Sequence, residues 1–246
     1  MKRQTIDQLL TLNRDFYDAF ADAFADSRPV TDPSVTCILP YIPERVSVLD
    51  VGCGNGRLAR LLARERPHAA YVGLDAEAAL IERAREQTRH LAIATRFHVT
   101  DVTRPGWHET FPPAHFDRAV ILAMLHHIPS FDLRARILRE TARLVSPAGR
   151  LIVSTWQFSS NARMRRKIVD WAEVDIPKEA LEPGDYLLDW KRGGQGLRYC
   201  HMIDEEEIER LAAASDLRVR ETFRAGGREG DLSLFAVLER LAIGCL

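Results

Sequence analysis

The stretch VLDVGCGNGRL, residues 48–58, decides the reading of this chain. An apolar run ends in Asp50 and Val51. Gly52, Gly54 and Gly56 follow within five positions, and a leucine-rich helical pattern begins at Leu58. A strand, a glycine turn and a helix in that order bring a ligand to the start of the helix. Two ligand classes that use such turns do not fit. The dinucleotide fingerprint G-x-G-x-x-G needs its third glycine where Arg57 stands. The phosphate loop of nucleoside triphosphatases closes on Lys followed by Ser or Thr, and no such pair follows Gly56. Asp50, two residues before the first glycine, repels a pyrophosphate and attracts a cation. A ligand carrying an ammonium, a sulfonium and an adenosine suits this turn better.

Outward from the turn, strand and helix patterns alternate. VSVLDV (46–51), AYVGLD (70–75), TRFHVTD (95–101), FDRAVILAM (116–124) and GRLIVST (149–155) read as five strands. Near-continuous apolar runs of this kind belong to strands covered on both faces. Residues 57–66, 77–88 and 132–146 read as helices. Their inward faces carry Leu58, Leu61 and Leu62, then Leu80, Ile81 and Ala84, then Leu133, Ile137, Leu138 and Leu144. Residues 204–216 form a further helix with an acid-rich first turn. LRVRETF (217–223) and LSLFAVLER (232–240) follow as an antiparallel pair across a short glycine-rich link. The fold expected is α/β: seven strands in a Rossmann-like sheet, the last antiparallel, with helices on both faces. At the N-terminus, residues 5–27 read as a helix whose stripe is Phe16, Phe20 and Phe24. The whole of 1–246 is expected to be one domain, with 1–34 as a helical cap and 157–203 as an insertion after the fifth strand. The insertion shows no clear period.

Asp75 ends the second strand, 19 residues after Gly56, where a carboxylate can accept both ribose hydroxyls. Asp101 and Val102 end the third, where an acid can take an adenine amino group and the apolar neighbour can pack on the ring. With Asp50, three acids stand at the carboxyl ends of adjacent parallel strands, the edge at which open α/β sheets bind ligands. VLDVGCGNGRL, Asp75, TDV (100–102) and AMLHHI (123–128) resemble the class I S-adenosylmethionine-dependent methyltransferases. The resemblance implies S-adenosylmethionine as cofactor. It implies Asp50, Gly52, Gly54 and Gly56 around the methionine end, Asp75 on the ribose, Asp101 and Val102 at the adenine, and Asn55, Ala76 and Leu122 as further cofactor-binding residues.

FYDAFADAFADSRP (16–29), STWQF (154–158), GDYLLDW (184–190), RYCHMIDEEEIERL (198–211) and FAVLER (235–240) resemble one branch, the methyltransferases that esterify 5-carboxymethyluridine at the tRNA wobble position. This chain departs from the branch at Asp189, usually proline, and at Cys200, usually aromatic. The resemblance implies tRNA as substrate, and in some members a small zinc-binding activator subunit. A carboxylate acceptor is already ionised at neutral pH, so the enzyme needs a clamp more than a base. Arg28, Arg198, Tyr199 and His201 are the candidates for it. His126 and His127, after the fourth strand, are expected at the rim of the site, where a base for an amine or phenol would stand. Arg163, Arg165, Arg166 and Lys167 form the candidate RNA patch, within an insertion of eight Lys or Arg and seven Asp or Glu.

The chain has 246 residues and a formal net charge of -1, so nucleic-acid binding has to rest on local patches. Cys37, Cys53, Cys200 and Cys245 form no CxxC pair, which speaks against a zinc site within the chain and for a reducing, cytoplasmic setting. Two other readings stay open. One is a methyltransferase for a small carboxylate, amine or phenol, which predicts an apolar pocket closed by 157–203. The other is a silent module that binds S-adenosylmethionine, which has no need of a complete set of cofactor acids.

Overall fold

The computed structural model describes residues 1–25, 32–159, 161–227 and 229–241, the side chains of 21–25 excepted. Strands β1 (Ser47–Val51), β2 (Ala70–Asp75), β3 (Ala94–Val99), β4 (Phe116–Leu122) and β5 (Val145–Trp156) are parallel. Helices α1 (Arg3–Ala25) and α2 (Pro33–Thr36) precede them. Helices α3 (Arg57–Glu65), α4 (Ala78–Thr88) and α5 (Phe131–Leu144) connect them. The insertion holds α6 (Ala162–Arg165) and strands β6 (Ile168–Val169), β7 (Asp185–Trp190) and β8 (Gly196–His201). Helix α7 (Glu205–Ala213) and strands β9 (Leu217–Ala225) and β10 (Ser233–Arg240) complete the chain.

The large sheet runs β3-β2-β1-β4-β5-β10-β9, with β10 antiparallel to both neighbours. The order reverses between β1 and β4, and a crevice opens at their carboxyl ends. Alternate residues feed opposite faces. Leu49, Val51, Ile121 and Val153 pack under α5 and α7, while Val48, Val120 and Ile152 pack under α3 and α4. Each of these side chains is fully buried, which contributes roughly 1.5–3 kcal/mol apiece.

The insertion is not irregular. It is a second antiparallel sheet, β6-β7-β8, with YLLDW and RYCH as partners across the turn that holds Gly193 and Gly194. Tyr186, Leu188 and Trp190 share one face of it with Arg198 and Cys200, by strand alternation and register. Leu187 and Tyr199 lie on the other face, against Leu9 of α1 and Trp171. The Phe16 ring meets Trp190 edge-on at 5.6 Å, so the aromatic stripe of α1 binds the small sheet. The side chain of Phe24 lies outside the described residues. Leu133, expected in the core, is only partly buried, and the side chain beside it on α5 that is fully buried is Arg134.

Candidate functional site

Four N–H groups of the glycine turn are engaged within the fold. Gly52 and Cys53 both donate to the Leu74 carbonyl, at 2.8 and 2.9 Å. Gly54 donates to Asp75 Oδ2 at 2.8 Å, and Gly56 to the Cys53 carbonyl at 3.1 Å. The turn is therefore braced against β2. Gly52 has φ +77°, and a Cβ there would lie 2.7 Å from Met124 Cγ, so only glycine lets the turn settle on the loop after β4.

Beside the turn runs a cleft with about 1370 Å³ of empty space, its open mouth included. Asp50, Gly52, Gly54, Asn55, Asp75, Ala76, Asp101, Val102 and Leu122 all line it. Gly56 stands beneath, as the N-cap of α3. Asp50 is 3% exposed and accepts a 2.6 Å hydrogen bond from the Tyr71 hydroxyl. Burial pushes its carboxyl up to about 7; the Tyr71 bond opposes that rise and the nearby Asp75 adds to it. Asp75 also lies above its ordinary range through burial, against the pull of the N–H groups of Glu77 and Gly54. Asp101 begins a turn, with Oδ1 accepting the Thr103 N–H at 2.9 Å.

Opposite the turn, α1 supplies Leu10, Asn13, Arg14 and Tyr17 to the cleft wall. Asn13 is the bracket between elements. Its Nδ2 donates to the His127 carbonyl at 2.9 Å and the Tyr199 carbonyl at 3.2 Å, and its Oδ1 accepts the Tyr199 N–H at 2.8 Å. It occupies the apolar stripe Leu9, Phe16, Phe20 at helical spacing. A lone amide in such a stripe is the sequence signal that would have found it. Tyr71 and Met124 carry no comparable signal.

The histidine doublet divides. His127 lines the cleft, and its Nδ1 lies 3.1 Å from the Tyr199 carbonyl. His126 is a correction: it is fully buried behind the wall, 4.6 Å from the Trp156 ring, and its Nδ1 faces the Trp156 N–H at 3.3 Å. The turn Leu125–His127 sends successive rings in different directions.

The clamp candidates divide too. Arg28 lies outside the described residues. Arg198 is 2% exposed, with its guanidinium carbon 4.8 Å from the centre of the Trp156 ring, 5.2 Å from Phe16 and 5.3 Å from Trp190. Its Nε and Nη1 have no hydrogen-bond partner among the described residues. Tyr199 and His201 are corrections, because strand alternation turns Tyr199 away from Arg198 and both side chains enter a separate buried network. There the Tyr199 hydroxyl donates to Asp185 at 2.7 Å, and His201 bridges Asp185 at 2.6 Å and Glu207 at 2.8 Å. Arg134 Nη2 pairs with Glu182 and Glu207, both at 2.9 Å. Glu182, Asp185 and His201 offer three donor atoms within 4.8 Å of one another. Arg134 and the two engaged ring nitrogens of His201 already occupy that cluster, so it reads as an ion-pair network rather than a metal cage.

Arg163, Arg165 and Arg166 are exposed around α6. Lys167 Nζ stands 5.6 Å from the Trp190 ring centre, so the patch and Arg198 meet on one indole. Among the described residues no helix is long and apolar enough to cross a membrane.

Residues 48–149 match a family model described as a methyltransferase domain. The chain is 36% identical over 200 residues to a ubiquinone biosynthesis O-methyltransferase of Xylella fastidiosa, covering 72% of this chain and 78% of that one. It is 29% identical over 140 residues to a tRNA (carboxymethyluridine(34)-5-O)-methyltransferase of Arabidopsis thaliana, covering 57% of this chain. The chain spans only 31% of that relative's length and 22% of a second of the same activity from Xenopus tropicalis. A solved structure of an S-adenosylmethionine-dependent methyltransferase from Methanosarcina mazei superposes with a TM-score of 0.66 at 22% identity, over 83% of this chain and 97% of that one.

Proposed function

This chain belongs to the S-adenosylmethionine-dependent methyltransferases, and we propose that the group it methylates is a carboxylate, that of 5-carboxymethyluridine at the wobble position of tRNA. The observation that carries this reading is Arg198. A buried guanidinium without hydrogen-bond partners is costly, and an aromatic cage offsets only part of that cost. An anionic acceptor supplies what is missing. The exposed cations of α6 and Lys167 continue outward from the same Trp190, as a polyanion would require. The names of the Arabidopsis and Xenopus relatives point the same way.

The cleft fits the cofactor. Asp50 would hold the ammonium, Asp75 the ribose hydroxyls, and Asp101 with Val102 the adenine. When bound, S-adenosylmethionine supplies an activated methyl group. Arg198 orients the acceptor carboxylate, while Trp156, Phe16 and Tyr17 exclude water. No residue has to remove a proton.

A second reading rests on His127. With Nδ1–H donated to the Tyr199 carbonyl, Nε2 carries the lone pair, the state a base needs for a phenol. The 36% identity to the ubiquinone enzyme favours it. The test is to incubate the protein with methyl-labelled S-adenosylmethionine and, separately, tRNA lacking the ester, small carboxylic acids, and catechols. Label entering tRNA, and leaving it as methanol under mild alkali, is the expected result. Label confined to small acids rejects tRNA, and label confined to catechols rejects the carboxylate.

Asp50 makes cofactor binding pH-dependent. With its carboxyl near 7 in the free protein, the protonated form prevails at pH 6, and a cationic ammonium prefers the ionised form. Affinity for S-adenosylmethionine should rise by up to about tenfold per pH unit below 7 and level off above it. Titration calorimetry in buffers of different ionisation enthalpy should register the released proton, and D50N should abolish the slope. A flat profile between pH 6 and 8 would contradict the placement of the ammonium.

A further inference from the structure

We propose that Arg57 binds the α-carboxylate of the cofactor's methionine end. In the sequence Arg57 is conspicuous only as the residue that spoils a dinucleotide glycine pattern. In the fold the close packing falls one position earlier. A Cβ at Gly56 would lie 3.0 Å from Ala84 Cβ and 3.3 Å from Phe97 Cζ, so Gly56 takes the contact with α4 and β3. Arg57, the first residue of α3, is thereby released to run along the cleft, which it lines together with Asp50, Gly54 and Asn55.

Its guanidinium is held near the site without being used up. The side chain is 13% exposed, and its nearest opposite charge is Asp32 Oδ2 at 4.0 Å. Among the described residues it makes no hydrogen bond. Arg57 and Asp50 both line the cleft, so a guanidinium and a carboxyl group share one wall at the end of β1. That pair complements an α-amino acid, with ammonium toward Asp50 and carboxylate toward Arg57. The cleft also contains Asp75, Glu77 and Asp101, so an entering carboxylate meets repulsion everywhere else on that wall. The other guanidinium on the lining is Arg14, which is exposed on α1 and acts on Glu77 instead.

The experiment compares S-adenosylmethionine with decarboxylated S-adenosylmethionine, which keeps the sulfonium and the amine. Both are titrated calorimetrically into wild type, R57M and R14M. Wild type should prefer the carboxylated ligand by about 10- to 100-fold. R57M should lose that preference while binding the decarboxylated ligand as wild type does, and R14M should retain it. The proposal is overturned if wild type shows no preference, if R57M keeps it, or if R14M erases it. Should R57M fail to fold, the uncharged R57Q carries the test, and a preference equal to wild type would overturn the proposal.

Discussion

Replacing Arg134 with methionine is expected to lower the unfolding free energy by about 3–5 kcal/mol, the usual cost of removing one member of a buried ion-pair network. Arg134 is 1% exposed and holds Glu182, Glu207 and the Ile128 carbonyl together. Without it, Asp185 and the two glutamates keep, among the described residues, only His201 as a cationic partner. The network joins α5, α7 and the small sheet, so loss should begin with β7 and β8 detaching from the large sheet. Denaturant melts measure the total, and hydrogen exchange on 185–201 locates the first opening. An unchanged midpoint would show that the network does not hold the insertion in place. The network also sets two pH limits. Burial pushes Glu207 up, but His201 and Arg134 outweigh it and hold its carboxyl low, so its contribution disappears as pH falls through that lowered value. Burial pushes His201 down, but hydrogen bonds to Asp185 and Glu207 outweigh it and raise its pKa. Its contribution is full below about 6.5 and disappears as pH rises through the raised value.

What could be read from the sequence was whatever a local pattern imposes. The β1 run, its glycine turn and the acid ending β2 each stand within a few residues of their cause, and the strand order follows from right-handed crossovers. The reading of a cationic ligand rested on Asp50, an acid two residues before the first glycine. The small sheet was missed although its turn holds adjacent glycines between two aromatic runs, a hairpin signal. Asp185 and Asp189 interrupt its apolar alternation, and both of its faces are covered, so neither face reads as polar. The roles of Tyr199 and His201 were out of reach for a different reason. Their neighbours in sequence place them beside Arg198, but alternation turns Tyr199 to the opposite face, and the partners that fix the network come from distant segments. Arg134 meets Glu182 across 48 positions. Arg57 was seen but given no task, because its direction depends on Gly56 taking the contact with α4.

Replacing Arg198 with methionine should separate catalysis from stability. The substitution removes a buried cation that lacks hydrogen-bond partners among the described residues and leaves an apolar chain of similar length among Phe16, Trp156 and Trp190. Thermal stability should therefore stay level or rise. Binding of S-adenosylmethionine should stay level, because Arg198 does not line the cofactor cleft. The loss should fall on the acceptor, at about 2–5 kcal/mol in kcat/KM, as expected when one partner of a desolvated charge pair is truncated. Its division between the two constants follows from the chemistry. A carboxylate that attacks a sulfonium loses negative charge on the way to the transition state, so Arg198 holds the ground state more strongly than the transition state. KM should rise steeply, by at least as much as kcat/KM falls, and kcat should stay level or rise slightly. R198K should recover part of the affinity through charge, but not the stacking of a planar guanidinium on three rings. A neutral phenol acceptor gives a different pattern, with little change in KM on removing Arg198 and a large loss of kcat on removing His127. Steady-state kinetics of R198M and H127A with saturating cofactor distinguish the two, and an unchanged acceptor KM in R198M would remove the main support for a carboxylate substrate.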